Sequence, residues 1–147
     1  MATIEALKRN FFDSEKVLRA VDSTMRRKLS KFGAFVRTRS RSSIRKRKAV
    51  SQPGTPPTNR TGLLKKFIFF SYDEQTKTVV IGPAAFRENA TAPELLEHGG
   101  RGITSRFVNR TGQIPREGIW RPRPFMRPAF ETELPKFLTS LKDSVKG

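Results

Sequence analysis

The chain has 147 residues, 35% of them hydrophobic and none of them cysteine, and its 30 Lys+Arg against 13 Asp+Glu leave a net charge of +17. That length suits one domain with a real core, and the absence of cysteine removes disulfide and thiol chemistry and fits synthesis in a reducing compartment. No apolar run approaches the ~18 residues of a membrane span, and the apolar stretch within residues 1–12 is too short for a secretory signal. The charge is uneven. Residues 1–66 hold 18 basic and 4 acidic side chains, residues 67–147 hold 12 and 9, so the first part carries +14 and the second +3. A field of this size favours anionic partners, whether nucleic acid or an acidic protein surface.

In chain order, Ile4, Leu7, Phe11 and Phe12 predict a short docking turn. Asp13 or Ser14 can cap a helix, with Glu15 in its favourable first turn. Leu18, Val21, Met25, Leu29, Phe32 and Val36 then step by three and four, which predicts an amphipathic helix over 13–37. Gly33 weakens that helix by about 1 kcal/mol relative to Ala without ending it. Arg37 to Lys48 holds seven basic residues and no acid, with too few apolar members for packing to sustain a helix. Pro53, Gly54, Pro56 and Pro57 forbid one. Residues 38–60 are therefore expected to form a long basic, proline-rich loop leaving the body of the domain.

Thr61 to Lys66 suits a single helical turn. Phe67–Tyr72 and Thr78–Ile81 are β-rich and flank the turn residues Asp73–Lys77, which predicts a β-hairpin closed by Gly82-Pro83. Phe69 and Phe70 must point to opposite faces of their strand, so one of them needs cover from a helix or from a neighbouring subunit. Ala92–His98 reads as a short helix opened by Pro93 and ended by Gly99-Gly100. A third strand is expected over Ile103–Val108, a loop over 109–118, and a short edge strand over Gly118–Arg121, giving a small sheet with one short helix across 66–121. The X-Pro steps at Pro122 and Pro124 force an extended arm, with Trp120 and Phe125 as packing anchors. Pro128 fits the first turn of a helix over 124–145, whose stripe is Met126, Phe130, Leu134, Leu138, Leu141 and Val145. The expected fold is α+β. A single domain over 1–147 carries a long N-terminal helix and a C-terminal helix on one face of a small, mainly antiparallel β-sheet, with a long basic loop.

Chemistry is sparse. One histidine, no cysteine and no nucleophile-elbow or phosphate-loop pattern argue against an enzyme, and neither cofactor nor metal is expected. Glu94, Glu97 and His98 share a helix face, either as a metal set or as merely solvated charges. Arg39, Arg41, Arg45, Lys46, Arg47 and Lys48 either neutralise nucleic-acid phosphates or form an arm that orders on a protein partner. No aromatic lies between Arg37 and Lys48, so any contact with DNA is expected at the backbone and not by base stacking.

Three segments carry a family resemblance. Pro53-Gly-Thr-Pro-Pro57 followed by Thr61-Gly-Leu-Leu-Lys65 resembles the "P-G-x-P-P … T-G-x-L" segment of tail-completion and neck proteins (head–tail joining, minor tail) of long-tailed double-stranded DNA bacteriophages. Gly82-Pro83, Ala92-Pro93 and Leu96-Glu-His-Gly99 are similar to that family's "I-G … Y-A … E-x-G" passage, without its tyrosine. Arg123-Pro-Phe-Met-Arg-Pro-Ala129 is similar to its closing "R-P-F-L-x-P-A" signature. The resemblance implies a non-enzymatic α+β virion protein that forms a ring, often hexameric, at the head-proximal end of the tail. Its implied partners are further copies of itself, a tail-tube or tail-terminator protein, head connector or adaptor proteins, and the genomic DNA in the lumen, with no membrane. The implied location is the tail–neck junction of the virion, after synthesis in the host cytoplasm. Gly62, Glu97, Gly99, Arg123, Pro124, Phe125 and Pro128 fall on motif positions and read as structural or interface residues. Phe69 and Trp120 join them as aromatic candidates for assembly contacts. The competing expectation is a small basic nucleic-acid-binding protein that grips the phosphate backbone.

Overall fold

In the computed structural model, which describes residues 14–84, 92–108 and 112–145, a single helix α1 runs from Ser14 to Ser43. It is followed by α2 (Leu63–Lys66), β1 (Ile68–Asp73), β2 (Thr78–Pro83), α3 (Ala92–His98), β3 (Gly100–Val108), β4 (Gly112–Trp120) and α4 (Met126–Val145). The turn expected within residues 1–12 lies outside the described residues. The architecture is α+β, with a long N-terminal helix and a C-terminal helix against antiparallel strands.

Helix α1 continues past its expected end at residue 37 because its last turns are packed after all. Ser40 is fully buried and donates its hydroxyl proton to the Phe125 carbonyl at 3.1 Å, and Ile44, just beyond the helix, is 1% exposed. The Ser42 and Ser43 hydroxyls donate to the Arg39 and Ser40 carbonyls at 2.8 Å, answering acceptors that a helix end leaves open. At the other end the apolar stripe runs out of cover. Leu18 is 63% and Val21 52% exposed.

The strands form two separate antiparallel hairpins in place of one sheet. β1 pairs with β2 from Ile68 opposite Pro83 to Asp73 opposite Thr78, and β3 pairs with β4 from Gly100 opposite Trp120 to Val108 opposite Gly112. β4 thus begins at Gly112, which replaces the expected 109–118 loop and the short 118–121 edge strand. Glycine- and proline-containing sequence is carried into the ladder by its partner strand, a non-local effect that outweighs weak local strand preference.

Along β1, half-buried Phe70 and Tyr72 alternate with exposed Phe69 and Ser71. Phe70 is the residue that α1 covers. A Cβ on Gly33 would lie 2.8 Å from both Phe70 Cδ2 and Val79 Cγ2, so the helix approaches the hairpin as closely as a bare backbone allows. Phe32, Val36 and Ala129 form a buried cluster against which Val79, Ile81, Met126, Leu134 and Phe137 pack, placing α1 and α4 on the same face of the β1–β2 hairpin. Phe32 stacks at a tilt on Phe137, with centroids 4.7 Å apart, and meets the edge of Phe130 at 5.5 Å.

Residues 44–62 do not leave the body of the domain. Arg45 and Thr58 form a parallel bridge, Asn59 N–H donates to the Arg45 carbonyl at 3.0 Å, and Gly54 N–H donates to the Pro122 carbonyl at 2.8 Å. The loop is held because its backbone donors find acceptors in itself and in the C-terminal arm, which periodicity of apolar residues does not report. Helix α4 starts at Met126, with Pro128 in its first turn and Pro135 inside it.

Candidate functional site

The proline arm, 121–124, is extended as its X-Pro steps require, and its polar groups reach out to segments far away in sequence. Arg123 N–H donates to the Leu96 carbonyl at 2.6 Å, at the end of α3. Its side-chain Nε donates to the Ser51 carbonyl at 2.9 Å, and Nη1 to the Arg121 carbonyl at 3.3 Å. With Pro122 accepting from Gly54, the arm is clasped between the 44–62 loop and α3. Phe125, 1% exposed, follows it into a cluster with Ile44, Leu64 and Ile68, against which Leu96 and Met126 pack.

Glu97 closes this knot. Its Oε2 accepts from the amides of Phe125 and Met126 at 2.9 and 3.0 Å, and its Oε1 from the amide of Arg127 at 2.7 Å. These are the orphan donors at the start of α4, so a carboxylate from α3 acts as the cap of another helix, at the positive end of its dipole. Both carboxylate oxygens of Glu97 are therefore engaged by backbone amides, a role that neither reading of the Glu94/Glu97/His98 face gave it, whereas Glu94 and His98 are exposed, as the solvated reading expected.

Two glycines at the site have conformations that require them. Gly99 sits at φ 72°, and a Cβ there would lie 2.8 Å from the Trp120 carbonyl oxygen and 2.9 Å from Pro122 Cδ. Gly62 sits at φ 81° at the start of α2, where Asn59 Oδ1 accepts from the amides of Gly62 and Thr61 at 2.8 and 3.1 Å. That turn drives Leu64 into the Phe125 cluster. The Trp120 indole N–H donates to the Gly102 carbonyl at 3.4 Å, within the β3–β4 ladder.

Of the residues singled out in the sequence, the structure thus brings together Glu97, Gly99, Trp120, Arg123, Pro124 and Phe125, with Gly62 beside them through Leu64. Phe69 and Pro128 stand apart at the surface. Phe69 is 49% exposed, with the Arg37 guanidinium 6.0 Å from its ring centroid and the Phe67 ring edge-on at 6.3 Å.

The basic run is divided. Arg39 and Arg41 belong to α1, and Arg39 pairs with Glu133 of α4, a carboxylate only 6% exposed that also accepts from Lys136 Nζ at 3.1 and 3.2 Å. Burial alone would raise the Glu133 pKa, but the hydrogen bonds from Arg39 and Lys136 outweigh it and hold the carboxyl below its usual value. Arg45, Lys46, Arg47 and Lys48 follow the helix, are exposed, and meet no carboxylate among the described residues. Sequence reasoning missed Ser40, Asn59 and Glu133. Asn59 carried a signal, since Asn two and three residues before a Thr-Gly step favours an Asx turn. Ser40 and Glu133 carried none, because their partners lie on another helix.

Compared with family models, characterised proteins and solved structures, the chain matches none.

Proposed function

We propose that this chain is a structural subunit of a phage tail-completion or neck ring, joining tail to head around the DNA channel. One observation carries the reading. The segment 53–65, the Leu96–Gly99 end of the second resembling passage and the segment 123–129 converge on a single knot through Gly54–Pro122, Arg123–Ser51, Arg123–Leu96 and Glu97–α4 hydrogen bonds. Segments separated in sequence by tens of residues have no local reason to share a motif set, and a common tertiary junction supplies one. The role is structural, with the knot setting the angle at which α4 starts along α1. Its neighbours would be further copies of the chain, a tail-tube or tail-terminator protein and the head connector.

A second reading, a nucleic-acid-binding protein, is favoured by the Arg45–Lys48 cations, which meet no carboxylate among the described residues. Electron microscopy of a phage lysate in which this gene carries an early stop separates the two. DNA-filled heads beside unattached tails are the expected result. Normal virions, or heads without DNA, would remove the joining role.

A further inference from the structure

The end of α1 and the 44–58 loop line a half-open cleft of about 630 Å³ that the joining role does not use. Three guanidinium-bearing residues, Arg39, Arg45 and Arg47, line it, and no carboxylate does among the described residues. We propose that this cleft binds a phosphate-class oxyanion through those three arginines.

The backbone of the walls is held before any ligand arrives. The Arg39 Nε is engaged by Glu133, which orients the guanidinium fork and leaves its Nη donors without a hydrogen bond among the described residues. The loop bearing Arg45 and Arg47 is closed at its base by Asn59 N–H to the Arg45 carbonyl and held near its middle by Gly54 N–H to the Pro122 carbonyl. Inside it, the Thr55 and Thr58 hydroxyls donate to the Gln52 and Ala49 carbonyls at 2.6 and 2.7 Å. A site arranged in advance loses less entropy when it captures its ligand. The Ser51 hydroxyl, also in the lining, is buried with no hydrogen-bond partner among the described residues, and an oxyanion would give it an acceptor.

One term opposes an anion here. The C-terminal end of α1 faces the same cleft and carries roughly half a negative charge. Glu133 offsets the charge of Arg39, but the guanidiniums of Arg45 and Arg47 alone exceed that helix-end charge several-fold, and the Ser42 and Ser43 hydroxyls already occupy carbonyls of the last turn. The donor set also discriminates between anions. Three planar forks offer more N–H groups than the two oxygens of a carboxylate can accept, whereas a phosphoryl group presents more oxygens and favours bidentate arginine contacts. The cleft lies within the ~300–1,000 Å³ range of small-ligand sites and exceeds a bare phosphate, so the oxyanion can be a backbone phosphodiester or a free phosphate.

The proposal is independent of the joining role, because its test uses the purified full-length protein and no virion. Two charge-matched variants are compared with wild type, R45Q/R47Q inside the cleft and K46Q/K48Q, whose side chains are absent from its lining. One arm titrates a short fluorescent DNA duplex at about 50 mM salt. The other titrates inorganic phosphate by calorimetry. Circular dichroism verifies that each variant folds, as expected for four exposed side chains. The cleft predicts a loss of at least ~10-fold for R45Q/R47Q against no more than ~3-fold for K46Q/K48Q, since a built contact outweighs screened surface charge. Binding in the DNA arm alone identifies a polymer phosphodiester, and binding in the phosphate arm shows that a free phosphate suffices. Equal losses in the two variants, or no binding in either arm, would overturn the proposal.

Discussion

Replacing Glu97 tests whether the knot is a stabilising device. In Glu97→Ala the amides of Phe125, Met126 and Arg127 lose their acceptors together, and α4 loses the negative charge at its positive end. Loss of a one-bond N-cap costs about 0.5–2 kcal/mol, and a favourable charge at a helix start contributes about 0.3–1 kcal/mol. Water can replace the acceptor at Arg127, which is exposed, better than at Phe125, whose side chain is buried in the core. The sum for Glu97→Ala is therefore about 2–3 kcal/mol, and Glu97→Gln, which keeps one carbonyl acceptor but no charge, is expected to lose about half of that. For a chain of this length each kcal/mol moves the melting temperature by roughly 2–4 °C, so Glu97→Ala should melt about 5–10 °C lower. Thermal and urea unfolding followed by circular dichroism at neutral pH measures both variants. Glu94→Ala, an exposed position on the same helix, serves as control and should stay within about 0.5 kcal/mol of wild type. A Glu97→Ala protein that melts within about 1 °C of wild type would refute the capping role.

Two other perturbations probe the helix layer. Gly33→Ala should destabilise, because the new Cβ meets Phe70 and Val79 at 2.8 Å and overpacking costs about 1–3 kcal/mol against a helix-propensity gain of about 1 kcal/mol. Urea melts showing Gly33→Ala clearly more stable than wild type would contradict the close packing of α1 on the hairpin. Glu133 supplies a pH dependence. Its folded pKa lies below the ordinary 4.5, so the unfolded chain binds the proton more readily and stability rises with pH through this window. The contribution is fully present above the ordinary value and is lost as pH falls through the lowered one. The stability difference between wild type and Glu133→Gln should therefore shrink as pH falls below the ordinary 4.5, read from urea melts across a pH series.

Much of this fold was legible in the sequence, and the failures share one cause. The stripe containing Phe32 and Val36 marked α1, and the turn Asp73–Lys77 between two β-rich runs marked the first hairpin, because both signals are local and periodic. The end of α1 was misplaced because Ser40 contributes no hydrophobic signal, although its hydroxyl bonds the Phe125 carbonyl inside the core. Leu18 and Val21 kept the helical period yet stand exposed, since periodicity reports which side a residue faces and not what lies opposite. The start of β4 depended on its pairing with β3, and the loop 44–62 on carbonyls of the arm, both invisible to a window moving along the chain. Glu97 was singled out by motif and by spacing, but its task as a cap for α4 depends on a residue separation no helix rule covers.

The same logic separates two populations of cations that composition lumps together. Several acids are already committed within the fold: Asp22 to Lys77, Glu74 to Arg26, Glu15 to Arg19, Glu131 to Arg127, and Glu133 to Arg39 and Lys136. The pairs other than those of Glu133 are exposed and screened by solvent, so they do little for stability, but they do absorb negative charge. Arg37 and Arg123 have their Nε donors taken by the Ile68 and Ser51 carbonyls. What remains is an uncompensated surplus, and part of it gathers at Arg45–Lys48, on a loop that hydrogen bonds hold in place. Like charges held close together raise the free energy of the folded chain, and an anion in the adjacent cleft would relieve that repulsion. An arginine whose donors are answered inside the fold acts on stability, whereas one whose donors face the cleft acts on binding. Arg39, engaged through Nε and open through Nη, belongs to both groups, which is why the cleft test substitutes Arg45 and Arg47 and leaves Arg39 intact.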